Sequence, residues 1–173
     1  MWLPGNRFYT LFRSGDMAFL YDALASPIGT IYLVFDEMGV HRICLSGETF
    51  RREFSGLKPA SQPLARQQLH NYFLGNRRDF EMPLLIYGSD FQASVWRTLR
   101  DIPYGETRSY AWVAEQINKP DAARAVGNAI GDNPVPIVVP CHRVIKSDGS
   151  LGGYSAGVEK KRWLLEHEQG KHL

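Results

Sequence analysis

Cysteine is scarce in this chain of 173 residues: Cys44 and Cys141 are the only two. They could close one disulfide, but 44% hydrophobic and 12% aromatic residues suffice for a packed core without that staple, so reduced thiols are expected. Neither cysteine belongs to a Cys-x-x-Cys pair and the five histidines show no paired ligand spacing, so no metal site is expected. Long hydrophobic runs are missing too. The best candidates, 18–24 and 134–139, are short and interrupted, well below the roughly 18 apolar residues that cross a bilayer. Residues 1–16 mix Pro4, Gly5, Arg7 and Arg13 with scattered aromatics and carry no sustained apolar segment ahead of a small-residue cleavage site, which argues against a secretory leader and for the cytoplasm. Net charge is only +2, with eleven Lys and Arg against nine Asp and Glu from Phe91 onward. Bulk charge is therefore too small to hold a polyanion, and any nucleic-acid contact must come from local geometry. No internal repeat and no low-complexity tract is found.

The first half reads as β-rich. Runs at 18–21, 30–35 and 40–45 are separated by turn clusters, Ser26-Pro27-Ile28-Gly29 and 36–39, which predicts an antiparallel meander. Cys44 alternates with polar neighbours as an inward strand residue does. Between Ser61 and Gly75, Leu64, Leu69, Tyr72 and Phe73 recur at helical spacing, with Ser61 as cap and Gly75 as stop. Arg77, Arg78 and Asp79 then lead through Pro83 to Gly88, taken as the boundary. The organisation expected is an extension over 1–16, a first domain over 17–85 and a second over 89–170.

The second half changes character. Helices are predicted over 90–101, 109–118 and 120–131, divided by Ile102-Pro103-Tyr104-Gly105 and Lys119-Pro120-Asp121, with Ser109 as a cap. Two short helices joined by so tight a turn suggest a helix-turn-helix. Its second helix, built on Ala122, Ala123, Arg124, Ala125, Val126, Gly127 and Asn128, has small side chains. Either it packs tightly on a neighbouring helix, or it lies close in a DNA groove with Arg124 as its one long basic residue. Residues 158–169 read as a closing amphipathic helix.

The chemical centre is the run Asn133-Pro134-Val135-Pro136-Ile137-Val138-Val139-Pro140-Cys141-His142-Arg143-Val144-Ile145. Three prolines fix the backbone ahead of a Cys-His pair, which suits a nucleophile better than core filler, although a structural cysteine also fits. A thiol becomes a nucleophile when a base or positive charge stabilises its thiolate. His142 can be that base, directly or through a water. A carboxylate beyond it would orient the imidazole, and Glu168 is the candidate, with Glu166 equally available from sequence. The glycine-rich run 149–157 lacks a phosphate-loop pattern and reads as a loop near a flat base or a simple turn.

At this point a resemblance is specific. Phe91-Gln92 with Val95-Trp96, Ile102-Pro103-Tyr104-Gly105-Glu106-Thr107 with Ser109-Tyr110, Ala123-Arg124-Ala125-Val126-Gly127, and Asn133-Pro134 come first. Pro140-Cys141-His142-Arg143-Val144 follows, then Gly153-Tyr154-Ser155 ahead of Lys161 and Leu164-Leu165-Glu166-His167-Glu168. In order and spacing these motifs resemble the O6-alkylguanine-DNA alkyltransferases. The resemblance implies an α+β protein: an amino-terminal ribonuclease-H-like antiparallel sheet with a helix, and a carboxy-terminal helical domain whose helix-turn-helix binds the minor groove of double-stranded DNA. It implies direct-reversal repair, in which a methyl or other alkyl group moves from O6 of a flipped guanine to Cys141 in one self-inactivating turnover. His142 would deprotonate Cys141 through water, Glu168 orient His142, Asn133 hold the turn, and Tyr110 donate to guanine N3. Val144, Tyr154 and Ser155 would line the base pocket. Arg124 would enter the stack, with Ala123, Ala125 and Gly127 on the groove. No cofactor and no metal are implied, and a monomer in the cytoplasm, on the nucleoid, or in a nucleus is expected.

Two positions depart from the family pattern: Asp132 stands where a basic or neutral residue suits a DNA face, and Ala156 replaces a glycine. The first bears on nonspecific DNA affinity and the second on the size of the O6 substituent. Three rivals make different predictions. A noncatalytic lesion sensor would lack the acceptor cysteine, a thiol-sensing regulator would need one DNA sequence, and a thiol hydrolase would turn over repeatedly.

Overall fold

The computed structural model describes residues 18–172 in full and the backbone of residues 2–4. Apart from that short strand, β1 (Trp2–Pro4), the expected extension over 1–16 lies outside the described residues, as does Met17. The chain divides into two compact units, Met1–Ser89 and Asp90–Leu173.

In the first unit the turn clusters produce the predicted meander: β2 (Leu20–Leu24), β3 (Ile31–Phe35) and β4 (Val40–Cys44) pair antiparallel. Ser26 and Gly29 exchange backbone bonds at 3.2 and 3.0 Å. Asp36 Oδ1 accepts from the N–H groups of Met38 and Gly39 at 2.8 and 3.1 Å, an Asx turn that reverses the chain. Cys44 is buried among Phe19, Val34, Phe50 and Phe54. The sheet is mixed rather than purely antiparallel, because β5 (Lys58–Pro59) adds to β2 in parallel and gives the order β4-β3-β2-β5. A helix not foreseen, α1 (Gly47–Phe54), makes that parallel return possible. Ser46 caps it by accepting from Thr49 N at 3.4 Å, and it buries Phe50 and Phe54. Two apolar residues four apart among charged neighbours are too thin a stripe to announce a helix by periodicity.

The predicted helix over 61–75 is α2 (Pro63–Phe73). Ser61 does not cap it: the chain enters through Gln62 with Pro63 in the first turn, where proline's missing N–H costs nothing. Gly75, at φ 73°, ends it and donates to Tyr72 O at 2.9 Å. The last strand of this unit, β6 (Ile86–Gly88), runs parallel to β1.

The second unit is mainly helical. Helix α3 (Asp90–Arg100) buries Ala93, Val95, Trp96 and Leu99. After it come β7 (Arg108–Ser109), α4 (Tyr110–Gln116), a 3-10 turn (Pro120–Ala122) and α5 (Ala123–Gly131). Ser109 caps α4 as expected, accepting from Trp112 N at 3.0 Å, and Asn118 leaves the helix at φ 56°. The helix expected from Pro120 therefore begins as a 3-10 turn and becomes α-helical at Ala123. Trp96 Nε1 donates to Ala129 O at 2.7 Å and ties α3 to α5. Beyond α5, a 3-10 turn (Cys141–Arg143) leads into β8 (Val144–Ile145), and α6 (Val158–Glu168) closes the unit. Strands β7 and β8 pair in parallel, Arg108 opposite Val144 and Ser109 opposite Ile145. Among the described residues no helix is long and apolar enough to cross a membrane.

Candidate active site

The proline-fixed run after α5 folds back on itself, and Asn133 is its clasp. The Asn133 side chain donates from Nδ2 to Val139 O at 2.8 Å and accepts at Oδ1 from Val135 N at 3.1 Å, so one amide closes the loop at both ends. Within that loop Ile137 is held at φ 76° although buried, an unfavourable conformation for a β-branched residue. The chain then delivers Cys141 to the first position of its 3-10 turn, 3% exposed. The short β7–β8 ladder joins the segment leaving Cys141 to the segment entering Tyr110.

His142 is fully buried, and its Nε2 lies 2.8 Å from Glu168 Oε1. That carboxylate is also gripped by Arg143, whose Nε donates to Oε2 at 2.8 Å and Nη2 to Oε1 at 3.0 Å, while Gly105 N donates to Oε2 at 3.0 Å. Burial opposes ionisation of Glu168, but the hydrogen bonds from His142 and Arg143, with the Arg143 charge, outweigh it and hold the carboxyl well below its ordinary range. An ionised Glu168 only accepts, so Nε2 of neutral His142 carries the proton and Nδ1 bears the lone pair. Nδ1 is buried with no hydrogen-bond partner among the described residues. Burial, reinforced by the Arg143 and Lys161 charges, lowers the His142 pKa despite Glu168. Of the two candidate carboxylates, Glu168 reaches the imidazole; Glu166 lies toward His172 Nε2 at 3.4 Å.

Burial pushes the Cys141 thiol up, opposed by the Asn133 amide and the Tyr154 hydroxyl, which favour the thiolate, and by the positive charge of Lys161. Tyr110 is half-buried near the same sulfur, and burial with the Cys141 charge raises its phenol. Glycine matters here at one position: a Cβ on Gly152, which sits at φ 69°, would lie 3.0 Å from Tyr110 Oη. The glycine-rich loop thus passes directly over the phenol. Val144 is buried, Tyr154 has a buried hydroxyl, and Ser155 is exposed.

On α5, Arg124 and Ala125 are exposed, Ala123 and Gly127 are half-buried, and Val126, Ala129 and Ile130 turn inward. A Cβ at Gly127 would meet the Tyr110 ring at 3.8 Å, an ordinary contact, so packing alone does not demand glycine there. Asp132 accepts from Gln92 Nε2 at 3.0 Å.

Two residues of this centre, Arg143 and Lys161, stand in the quoted motifs but were given no role from sequence. Arg143 is buried, bonds Ile102 O at 2.7 Å and lies over the Tyr104 ring at 5.6 Å. Lys161 lies between two basic neighbours, Lys160 and Arg162, yet is 1% exposed and donates to Val144 O at 2.6 Å, to Leu151 O and to Gly153 O at 3.4 Å. Burial brings its ammonium down to about 8, against a raising influence of Cys141. The signal for Lys161 was its spacing, since it shares a helical stripe with Leu164, Leu165 and Glu168. Among the described residues no group of three His, Cys, Asp or Glu side chains converges as metal ligands do.

Two family models match the chain: residues 19–86 fit the ribonuclease-like domain of 6-O-methylguanine DNA methyltransferase, and residues 90–170 fit its DNA-binding domain. The chain belongs to the 6-O-methylguanine DNA methyltransferase family. A methylated-DNA--protein-cysteine methyltransferase of Mycolicibacterium paratuberculosis is 44% identical over 151 residues, covering 86% of this chain and 92% of the relative. A crystal structure of Mycobacterium tuberculosis O6-methylguanine methyltransferase superposes with a TM-score of 0.83 at 42% identity, covering 88% of this chain and 93% of that one. The Mycobacterium tuberculosis OGT solved in complex with DNA gives 0.81 at 43% identity, covering 87% and 93%. As members of this 6-O-methylguanine DNA methyltransferase family, the two units correspond to the ribonuclease-like and DNA-binding modules, and all the groups around Cys141 described above fall in the second.

Proposed function

We propose that this chain reverses O6-alkylation of guanine in duplex DNA by moving the methyl or other alkyl group onto Cys141, once per molecule. The observation that carries the reading is the buried relay in which His142, oriented by Glu168, turns an unpartnered Nδ1 toward proton transfer next to a cysteine. Family membership supports the substrate, and the relative solved with DNA supports the partner.

The chemistry follows from which atom holds each proton. Glu168 keeps the Nε2 proton in place, so the Nδ1 lone pair of His142 takes the Cys141 proton through a water. The sulfur attacks the alkyl carbon in line, forming the S–C bond as the C–O6 bond breaks. The electron pair passes into the purine, and Tyr110 supplies a proton at N3 as charge develops there. Solvent returns a proton to Tyr110 as His142 releases the one it took, so in net terms the thiol proton ends on guanine and the alkyl group on sulfur. A thioether has no thiol left to exchange, so each molecule acts once and no cofactor takes part. Asn133 holds the turn, and Val144, Tyr154 and Ser155 line the pocket for the base.

Presentation of the base falls to the helix-turn-helix. A shallow face of Ala123, Ala125 and Gly127 suits the minor groove, with Arg124 filling the stack vacated by the flipped guanine. A net charge of +2 makes such binding weak in bulk electrostatics and dependent on these local contacts. The protein acts as a monomer in the cytoplasm or on the nucleoid, or in a nucleus if its source has one.

Incubation with a duplex carrying O6-methylguanine, followed by intact mass and peptide mapping, tests the proposal. The expected result is a gain of one methyl group on Cys141, stoichiometric with protein, and none in Cys141→Ala, which still binds DNA. Product exceeding one per protein would indicate a hydrolase, and no gain by a folded, reduced chain would indicate a sensor or regulator.

A further inference from the structure

Resting on that reading, we infer a further catalytic group: the Tyr154 hydroxyl donates a hydrogen bond to the Cys141 sulfur and stabilises it as the thiolate that attacks. This is distinct from lining the base pocket, which the ring and backbone of Tyr154 can do without the hydroxyl.

Tyr154 Oη is buried and finds no aligned hydrogen-bond partner among the described residues. An unpaired buried hydroxyl is destabilising, and such atoms persist where chemistry uses them. The polar group within its reach is the Cys141 sulfur, and the two affect one another reciprocally: the phenol favours the thiolate, and the thiolate holds the phenol in its protonated form. A neutral thiol is a poor acceptor, which leaves the hydroxyl nearly unsatisfied at rest. A thiolate is a charged acceptor, so the bond reaches full strength only as the nucleophile forms.

The other groups facing the sulfur divide the remaining work. The Asn133 amide also favours the thiolate, but it already clasps Val139 and Val135. Lys161 acts by charge while its Nζ is committed to three carbonyls. Tyr110 influences the sulfur through charge alone, and His142 takes the proton. Glu168 faces Tyr154 only as a distant negative charge that further discourages phenolate. Tyr154 is therefore the donor with no competing engagement.

Tyr154→Phe removes the hydroxyl and keeps the ring. Thiolate formation is followed by ultraviolet absorbance against pH, read as the difference between each protein and its Cys141→Ala counterpart, which removes the contribution of Cys44. Loss of a hydrogen bond to a charged group should raise the titration midpoint by about one to two pH units and slow alkyl transfer near neutrality about 10- to 100-fold. The rate deficit should shrink as pH rises. An unchanged midpoint overturns the inference, whether or not transfer slows, since a slowing alone would place the hydroxyl on the base. The titration needs no damaged DNA, so failure of wild-type alkyl transfer would refute the proposed function without touching this result. Should Tyr154→Phe not fold, uniform 3-fluorotyrosine labelling of the wild-type chain asks the same question. A more acidic phenol donates more strongly and should lower the midpoint, and no movement overturns the inference.

Discussion

Replacing Glu168 by glutamine probes the centre most directly, because one carboxylate there serves four donors. Its two oxygens accept from His142 Nε2, twice from Arg143, and from Gly105 N, and the side chain has no solvent exposure. A glutamine amide presents one oxygen and one NH2, so whichever way it turns, two of the four donors face another donor. The Arg143 guanidinium, 7% exposed, loses its counter-charge at the same time. Removing one partner of such a buried pair costs about 3–5 kcal/mol, a large fraction of a typical domain's stability. Urea unfolding of Glu168→Gln should therefore show a much lower midpoint with an unchanged slope. Acid dependence supplies a second reading. Because the folded-state pKa of Glu168 lies below the ordinary 4.5, the unfolded chain binds the extra proton first. Its stabilisation is then complete above about 4.5 and is lost as pH falls below that value. Asp22, also lowered, contributes to acid sensitivity in both proteins, so the difference between the two curves belongs to Glu168. A loss under about 1 kcal/mol, or identical acid slopes, would refute the claim that this carboxylate is an ionised buried hub.

Three further outcomes are expected. Tyr110→Phe should slow single-turnover transfer by roughly 100-fold, the scale of lost general-acid assistance, with DNA affinity preserved; equal rates would remove Tyr110 from the chemistry. Gly152→Ala places a Cβ 3.0 Å from Tyr110 Oη at a backbone φ of 69°, so it should slow transfer and lower the melting temperature together, and a neutral result would mean the loop yields freely. Arg124→Ala should weaken binding and extrusion of the base, read by the fluorescence of a base analogue opposite the lesion, while leaving the Cys141 titration unmoved.

What could be read from the sequence depended on whether a residue's neighbours in the chain are also its neighbours in space. The β2–β4 meander and the Ser109 cap were legible because turn chemistry and capping act within four residues. Helix α6 was legible as an amphipathic stretch, but Lys161 was not, since three consecutive basic residues look solvated unless the position of each around the helix is followed. The mixed sheet was missed because β5 is two residues long and its partner, β2, lies more than thirty residues earlier. Arg143 was missed for a related reason: its partners, Ile102 O and Glu168, are 41 and 25 residues away, and nothing local distinguishes it from an exposed arginine. Choosing Glu168 over Glu166 required the resemblance, because a single turn of one helix offered both.

The distribution of hydrogen bonds around Cys141 argues that this centre is built for proton movement and not only for packing. Glu168 is saturated, Asn133 uses both ends of its amide, Lys161 meets three carbonyls and Arg143 adds a carbonyl to its ion pair. Against that background, His142 Nδ1 and Tyr154 Oη stand out: both are buried, and neither meets a nitrogen or oxygen partner among the described residues. One can only accept a proton and the other can donate one, and both belong to residues that act on the same sulfur. A fold that satisfies its other polar groups here but leaves this acceptor and this donor open pays for the arrangement in stability. The compensation comes when the thiol proton leaves toward His142 and the thiolate takes up the Tyr154 hydrogen bond, so the unsatisfied atoms of the resting state become the satisfied ones of the reacting state.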